Sequence, residues 1–176
     1  MNPYDQLIEK IESGRAQPAI IGLGYVGLPE AMAACEAGYR VIGYDVDAEK
    51  VERLRAGESY VRDISSDEVA RWLHADRFEP TTDPDRLAEA DSLHLCVPTP
   101  LNKTGDPDVS YLIDATETVA RRLRSGQLVV LESTTYPGTT RELLLPGSRR
   151  RGCAPARTSS SSSVRSGWTR GTPATT

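Results

Sequence analysis

Along this chain, short uninterrupted apolar runs alternate with longer segments whose apolar residues recur every three to four positions. Ala19-Ile20-Ile21, bounded by Pro18 and Gly22, predicts a strand covered on both faces. Arg40–Asp45, Phe78–Thr82, Ser92–Val97 and Leu128-Val129-Val130-Leu131 predict four more, the last of them a buried strand. Between them the spacing predicts helices. Tyr4–Ile11 forms a short amphipathic one, and Leu28, Met32 and Cys35 share a face of another from about Tyr25 to Ala37, stopped by Gly38. Asp47 caps a helix carrying Val51 and Leu54, which ends at Gly57. Ser65 and Glu68 make a capping-box pattern ahead of Val69, Trp72 and Leu73. Leu112, Thr116, Val119 and Leu123 mark a helix ending at Gly126, and Pro137-Gly138 opens a last helical stretch to Leu145.

Strands that are continuously apolar and alternate with helices belong to a parallel sheet with helices on both faces. Right-handed crossovers then make the fold α/β, a doubly wound parallel sheet. At 176 residues there is chain for one such domain. Three cysteines at no metal-like spacing (Cys35, Cys96 and Cys153), no apolar run of membrane-spanning length and no signal-peptide core predict a cytoplasmic protein with no membrane partner. A net charge of -4 gives no reason to expect nucleic acid. The charge is unevenly placed, however. From Gly147 onward there are six Arg and no Lys, Asp or Glu, so the preceding part holds 15 basic against 25 acidic residues.

Gly22-Leu23-Gly24-Tyr25-Val26-Gly27 reads G-x-G-x-x-G and joins the first apolar strand to a helix. Gly22 permits the tight turn, Gly24 lets the backbone approach a pyrophosphate, and Gly27 lets the helix pack close to the strand. Free N–H groups and the positive helix end at Tyr25 and Val26 complete an anion site. Asp45 ends the second strand, 23 residues after Gly22. A carboxylate there accepts hydrogen bonds from ribose hydroxyls and repels a 2′-phosphate, which predicts NAD as the cofactor in preference to NADP. No metal site is predicted. His74 and His94 have no partner at readable spacing, Cys96 reads as core, and Glu132 is expected to face a neighbouring loop.

Four strings in order, GLGYVGLP at Gly22–Pro29, YDVDAEK at Tyr44–Lys50, CVPTP at Cys96–Pro100 and ESTTYPGTT at Glu132–Thr140, resemble the UDP-glucose/GDP-mannose dehydrogenase family. The resemblance covers most of Ala19–Pro146 and implies a Rossmann NAD-binding domain. The CVPTPLN and LESTTYPGTT forms look most like enzymes acting on UDP-N-acetylglucosamine or related N-acetylhexosamines. By position, the resemblance places Lys50 near the adenosine ribose, Thr99 in a cofactor-contacting turn, and Thr134 where it helps to position catalytic water. Such enzymes oxidise a sugar C6 alcohol to a carboxylate with two NAD, for polysaccharide precursors. They use a cysteine thiolate to hold the aldehyde, a carboxylate to direct water, and a lysine and an asparagine for oxyanions. The cysteine belongs to a G-G-x-C-I-P string beyond a long central helix. Neither string nor helix is present, so the catalytic Cys and Lys are absent, and Cys153 in its Arg-rich setting is no substitute. The family's homo-oligomer uses that helix for dimerisation.

After Leu143-Leu144-Leu145-Pro146 the periodicity stops and the composition narrows to mostly Arg, Ser, Thr, Gly, Pro and Ala. Read one base out of frame, the tail from Gly147 permits V-E-A-A-G-L-R-A-G-P-D-F-F-L, and Val164–Gly171 permits P-E-R-V-D-P-G. The family continues with similar strings at matching spacing. Trp has one codon, so Trp168-Thr169 forces Asp in the shifted frame. The expected organisation is therefore a Rossmann domain over 1–146, truncated by a frameshift, and a disordered tail over 147–176. Leu128–Leu131 would then lack its next strand and be left as an apolar edge. The expected function is the NAD-binding portion of a nucleotide-sugar 6-dehydrogenase, unable by itself to turn over a UDP-sugar. The alternatives are a non-catalytic NAD-binding module, or another Rossmann enzyme such as a hydroxyacid dehydrogenase.

Overall fold

A computed structural model describes residues 2–100 and 108–133. Five four-residue strands form one sheet: β1 (Pro18–Ile21), β2 (Val41–Tyr44), β3 (Phe78–Thr81), β4 (Ser92–Leu95) and β5 (Leu128–Leu131). All pairings are parallel and the order is β3-β2-β1-β4-β5. The expected α/β doubly wound parallel sheet is therefore observed. Its order reverses between β1 and β4, and the crevice for a ligand opens at such a switch point, outside the carboxyl ends of the strands.

Strand alternation sorts the core into two layers. Ile20, Val41 and Phe78 point to one face, where Leu28 and Met32 of α2 (Gly27–Glu36), Leu54 of α3 (Ala48–Arg55) and Val69 of α4 (Ser66–His74) cover them. Ala19, Ile21, Ile42, Leu93 and Leu95 point the other way. They meet Leu87 of a 3-10 turn (Pro84–Ala88) and Leu112, Ala115 and Val119 of α5 (Ser110–Ala120). The caps form as the sequence predicts: Asp47 accepts N–H bonds from Glu49 and Lys50, and Ser65 accepts one from Glu68.

The first helix, α1 (Pro3–Glu12), buries no residue and is held by polar contacts instead. Lys10 Nζ reaches the Asp91 carboxylate at 2.6 Å, and the Tyr39 hydroxyl donates to the Ile11 carbonyl at 3.1 Å. Asp91 also accepts from the Gln17 N–H at 3.1 Å and from Arg124 at 3.3 Å. One buried carboxylate thus joins α1, the entry to β1 and the segment after α5.

Two expectations need correction. Leu128–Leu131 is not buried: Leu128 is exposed and the other three residues are half-buried. Among the described residues β5 has one sheet neighbour, β4, and stands at the edge of the sheet. The helix after the glycine turn begins at Gly27, which leaves Tyr25 and Val26 in the turn. The stretch from Pro137 to Leu145, Thr134 and the boundary near Pro146–Gly147 lie outside the described residues. Among the described residues, no helix is long and apolar enough to cross a membrane.

Candidate functional site

The glycine turn leaves the carboxyl end of β1 and folds back against the end of β4, at the switch point. Gly22 has φ +92°, a conformation that disfavours side chains, and a Cβ there would meet the Cys96 carbonyl oxygen at 3.0 Å. Gly27 is held more tightly still, since its Cβ would lie 1.9 Å from the Gly22 carbonyl oxygen. Around Gly24 nothing lies within 4 Å of the Cβ position. Gly22 and Gly27 are thus required by the turn and by the close approach of α2, and the open space lies at Gly24. Tyr25 and Val26 are strongly exposed beside it, at 79% and 57%. In α2's first turn the Leu28 N–H donates to the Gly24 carbonyl at 3.1 Å, the Glu30 N–H donates to the Val26 carbonyl at 3.2 Å, and Pro29 has no N–H; the positive end of the helix dipole lies at the turn.

Asp45 follows β2 and is only 6% exposed. Its Oδ2 accepts the Leu23 N–H at 2.8 Å and its Oδ1 accepts the Asp47 N–H at 2.9 Å. Each carboxylate oxygen has a further lone pair for a ribose hydroxyl. Lys50, on the first turn of α3, places Nζ 3.9 Å from both Asp45 Oδ2 and Asp47 Oδ2. Two carboxylates against one ammonium leave this end of the site net negative. Val46, 80% exposed, offers an apolar surface next to it. Thr99 is half-buried in the turn beyond β4. The Leu23–Asp45 hydrogen bond and the Lys50–Asp45 contact thus bring the glycine turn (Gly22, Gly24, Tyr25, Val26 and Gly27), Asp45 and Lys50 together at the carboxyl end of the sheet. Such an arrangement could hold the adenosine diphosphate part of a dinucleotide, with open space at Gly24 and the positive helix end for the pyrophosphate and a carboxylate for the ribose.

The sequence reading missed a cluster beneath the turn. His94 has partners after all: its Nδ1 lies 2.7 Å from Glu30 Oε1 and 3.9 Å from Glu132 Oε1. Ligand atoms of Glu30, His94 and Glu132 lie within 4.8 Å of one another. Glu132 therefore does not simply face a loop; its N–H donates to the Leu95 carbonyl while its carboxylate turns toward His94. Cys96 is buried as expected, but its thiol donates to Glu30 Oε2 at 2.9 Å. Burial alone would raise the Glu30 carboxyl, yet the contacts with His94 and Cys96 outweigh it and hold the group below its ordinary range. The only early signal was the polar residue His94 within an apolar strand.

Both described cysteines are free and buried. Burial pushes the Cys35 thiol up to about 12 despite the charge of Arg77. Burial, the bond to Glu30 and the charges of Glu30 and Glu132 push Cys96 up as well. The thiolate is the reactive form. Under native conditions at pH 8, iodoacetamide should leave Cys35 and Cys96 unmodified and label both once the chain is denatured. Peptide mass spectrometry reads this directly, and native labelling of Cys96 at the rate of a free cysteine would contradict the burial.

Known proteins resemble this chain in sequence and fold. The model of the UDP-glucose/GDP-mannose dehydrogenase family, NAD binding domain, matches residues 16–154. A UDP-N-acetyl-D-mannosamine dehydrogenase of Pyrococcus horikoshii is 36% identical over 126 residues, which are 71% of this chain and 30% of the relative. A UDP-N-acetyl-D-glucosamine 6-dehydrogenase of Salmonella typhi is 39% identical over 130 residues, 73% of this chain and 29% of the relative. The solved UDP-D-ManNAc dehydrogenase structure from P. horikoshii superposes with a TM-score of 0.72 at 34% identity, over 77% of this chain and 32% of that one. A GDP-mannose dehydrogenase from Pseudomonas aeruginosa gives 0.70 at 30% identity, over 73% and 31%. This chain spans about 30% of the length of the curated relatives it matches. It belongs to the UDP-glucose/GDP-mannose dehydrogenase family, a family of NAD-dependent oxidoreductases, and the part it shares with them is the NAD-binding domain.

Proposed function

We propose that residues 22–50 hold the adenosine and pyrophosphate of NAD in a nucleotide-sugar 6-dehydrogenase acting on a UDP-N-acetylhexosamine, and that this chain by itself does not turn over the sugar. The observation that carries the reading is the hydrogen bond from the Leu23 N–H to Asp45 Oδ2. It joins the phosphate-binding turn and the ribose-binding acid into one unit at the switch point. In this reading Gly22, Gly24 and Gly27 shape the turn, and the amides of Tyr25 and Val26 hold the pyrophosphate. Asp45 takes the ribose hydroxyls, Lys50 tempers the charge beside it, and Thr99 borders the cofactor beyond β4. Thr134 would position water in the complete enzyme. When bound there, NAD would supply the hydride acceptor.

No G-G-x-C-I-P string occurs in these 176 residues, so the role proposed for them is cofactor binding. Domain limits of 1–146 and 147–176, with a shifted frame near Pro146–Gly147, account for the change in composition there. Codons that cannot encode P-E-R-V-D-P-G one base out would end that account. The second reading is a non-catalytic NAD-binding module. Oligomerisation and the choice of sugar belong to the complete enzyme.

Calorimetry on the 176-residue chain should register NAD and bind NADP at least about tenfold more weakly, because a 2′-phosphate would meet the carboxylates of Asp45 and Asp47. Equal affinity for the two dinucleotides would remove the role given to Asp45. No absorbance of NADH should develop with UDP-N-acetylglucosamine or UDP-N-acetylmannosamine, and its appearance would refute the absence of turnover.

A further inference from the structure

The loop between α3 and α4 sends one side chain to the glycine turn. Tyr60 is half-buried against the α2 face of the core, and its hydroxyl donates to the Leu23 carbonyl at 2.6 Å. The loop that presents it is pinned locally: the Ser59 N–H donates to Ser66 Oγ at 3.0 Å, and Ser59 Oγ donates to the Val61 carbonyl at 3.1 Å. The Arg53 guanidinium lies over the Tyr60 ring, 5.5 Å from its centre. Burial and the charges of Asp45 and Asp47 push the phenol above its ordinary range, so it remains a neutral donor.

Leu23 is fully buried and held at both ends, its N–H by Asp45 at 2.8 Å and its carbonyl by Tyr60. A trans peptide is planar, with C=O and N–H pointing in opposite directions. The carbonyl of Leu23 shares its peptide plane with the N–H of Gly24. A donor that draws this carbonyl inward therefore turns the Gly24 N–H outward, at the residue around which the Cβ position is empty to 4 Å.

We propose that Tyr60 is a positioning residue for the dinucleotide, which orients the Leu23–Gly24 peptide so that the Gly24 amide is aimed at the pyrophosphate. This rests on the reading of the glycine turn as a pyrophosphate site. Tyr60 touches no part of the ligand and acts through one peptide plane. It lies 37 residues from Leu23 in sequence and outside the G-x-G-x-x-G string.

The test compares the full chain with Tyr60→Phe, which keeps the ring in the core and removes the donor. Calorimetry with NAD and with ADP-ribose should show Kd rising about tenfold for both, the usual effect of losing one hydrogen bond and leaving a buried carbonyl unpaired. Adenosine, which has no pyrophosphate, should bind the two proteins alike. Equal loss for adenosine and NAD would overturn the proposal by marking a general structural defect, and so would unchanged NAD affinity in the variant. Failure of the wild-type chain to bind NAD would instead remove the reading of the site itself. Should Tyr60→Phe not fold, the wild-type chain decides by NMR. The Gly24 amide proton should move downfield with ADP-ribose and not with adenosine, and a Gly24 signal indifferent to ADP-ribose while its neighbours shift would overturn the proposal.

Discussion

Gly27→Ala should cost the fold at least about 3 kcal/mol and abolish NAD binding with it. The added Cβ would sit 1.9 Å from the Gly22 carbonyl oxygen, and its next nearest neighbours, Cys96 Cβ and the Gly22 carbonyl carbon, are at 3.1 Å. A flexible side chain could swing away from such a contact. A backbone carbonyl fixed in a turn at φ +92° can do so only if α2 moves off β1, which would open the core around Ile20 and Leu28. Against a total stability of about 5–15 kcal/mol for a typical domain, a loss of that size is visible in any urea titration. Gly24→Ala makes the informative contrast. Its Cβ meets nothing within 4 Å, so the unfolding midpoint should stay within experimental error while NAD affinity falls sharply, because the methyl group takes the place of the ligand. A Gly27→Ala chain with the wild-type midpoint would show that the helix does not approach the turn this closely.

The second large effect concerns acid. Burial alone would raise the Asp91 carboxyl; the hydrogen bond from Lys10, the Gln17 N–H, the Lys10 charge and Arg124 outweigh it and hold the group below the ordinary carboxylate range. For a carboxylate depressed in the folded state, the unfolded chain binds the proton first as pH falls. The stabilisation is therefore fully present above the unfolded value of about 4, and is lost as pH falls through the lower folded value. Glu30 is lowered as well and acts in the same direction. Asp91→Asn should cost about 1–3 kcal/mol at pH 7, a range that allows for solvent screening of the half-exposed Lys10 and Arg124. It should also flatten the fall in melting temperature between pH 5 and about pH 3, relative to the wild type. Thermal melts across that window provide the measurement. Parallel curves for the two proteins would mean that Asp91 is not the group whose protonation loosens α1 from the sheet.

Features that rest on neighbours in sequence could be read from the residues alone. The apolar runs around Ile20, Ile42 and Leu93 became strands because a buried parallel sheet needs no alternation. The glycine turn, Asp45, and the caps at Asp47 and Ser65 each follow from local geometry. What escaped depends on register and docking. His94 pairs with Ile20 across β1 and β4 and so lies on the α2 face, where the first turn of α2 brings Glu30. Nothing in the interval of 64 residues announces that contact. Tyr60 and Leu23 are a similar case. Gly43 is another, since its missing Cβ admits Phe78 and Leu23, which would come within 2.7 and 3.0 Å of one. The run Leu128–Leu131 is apolar enough for a buried strand, but burial depends on what stands beside it, and composition carries no information about that.

The bond between Asp45 and the Leu23 amide has a bearing on how binding and folding are tied together. The first crossover of the sheet cannot present its amides correctly until β2 has docked beside β1 and carried Asp45 into place, nor until the loop bearing Tyr60 has closed over α2. Dinucleotide affinity is thereby a gauge of assembly for residues 18–60 as a block. Damage far downstream can silence chemistry and leave this gauge reading true, whereas a slip of β2 by a single residue would turn it to zero.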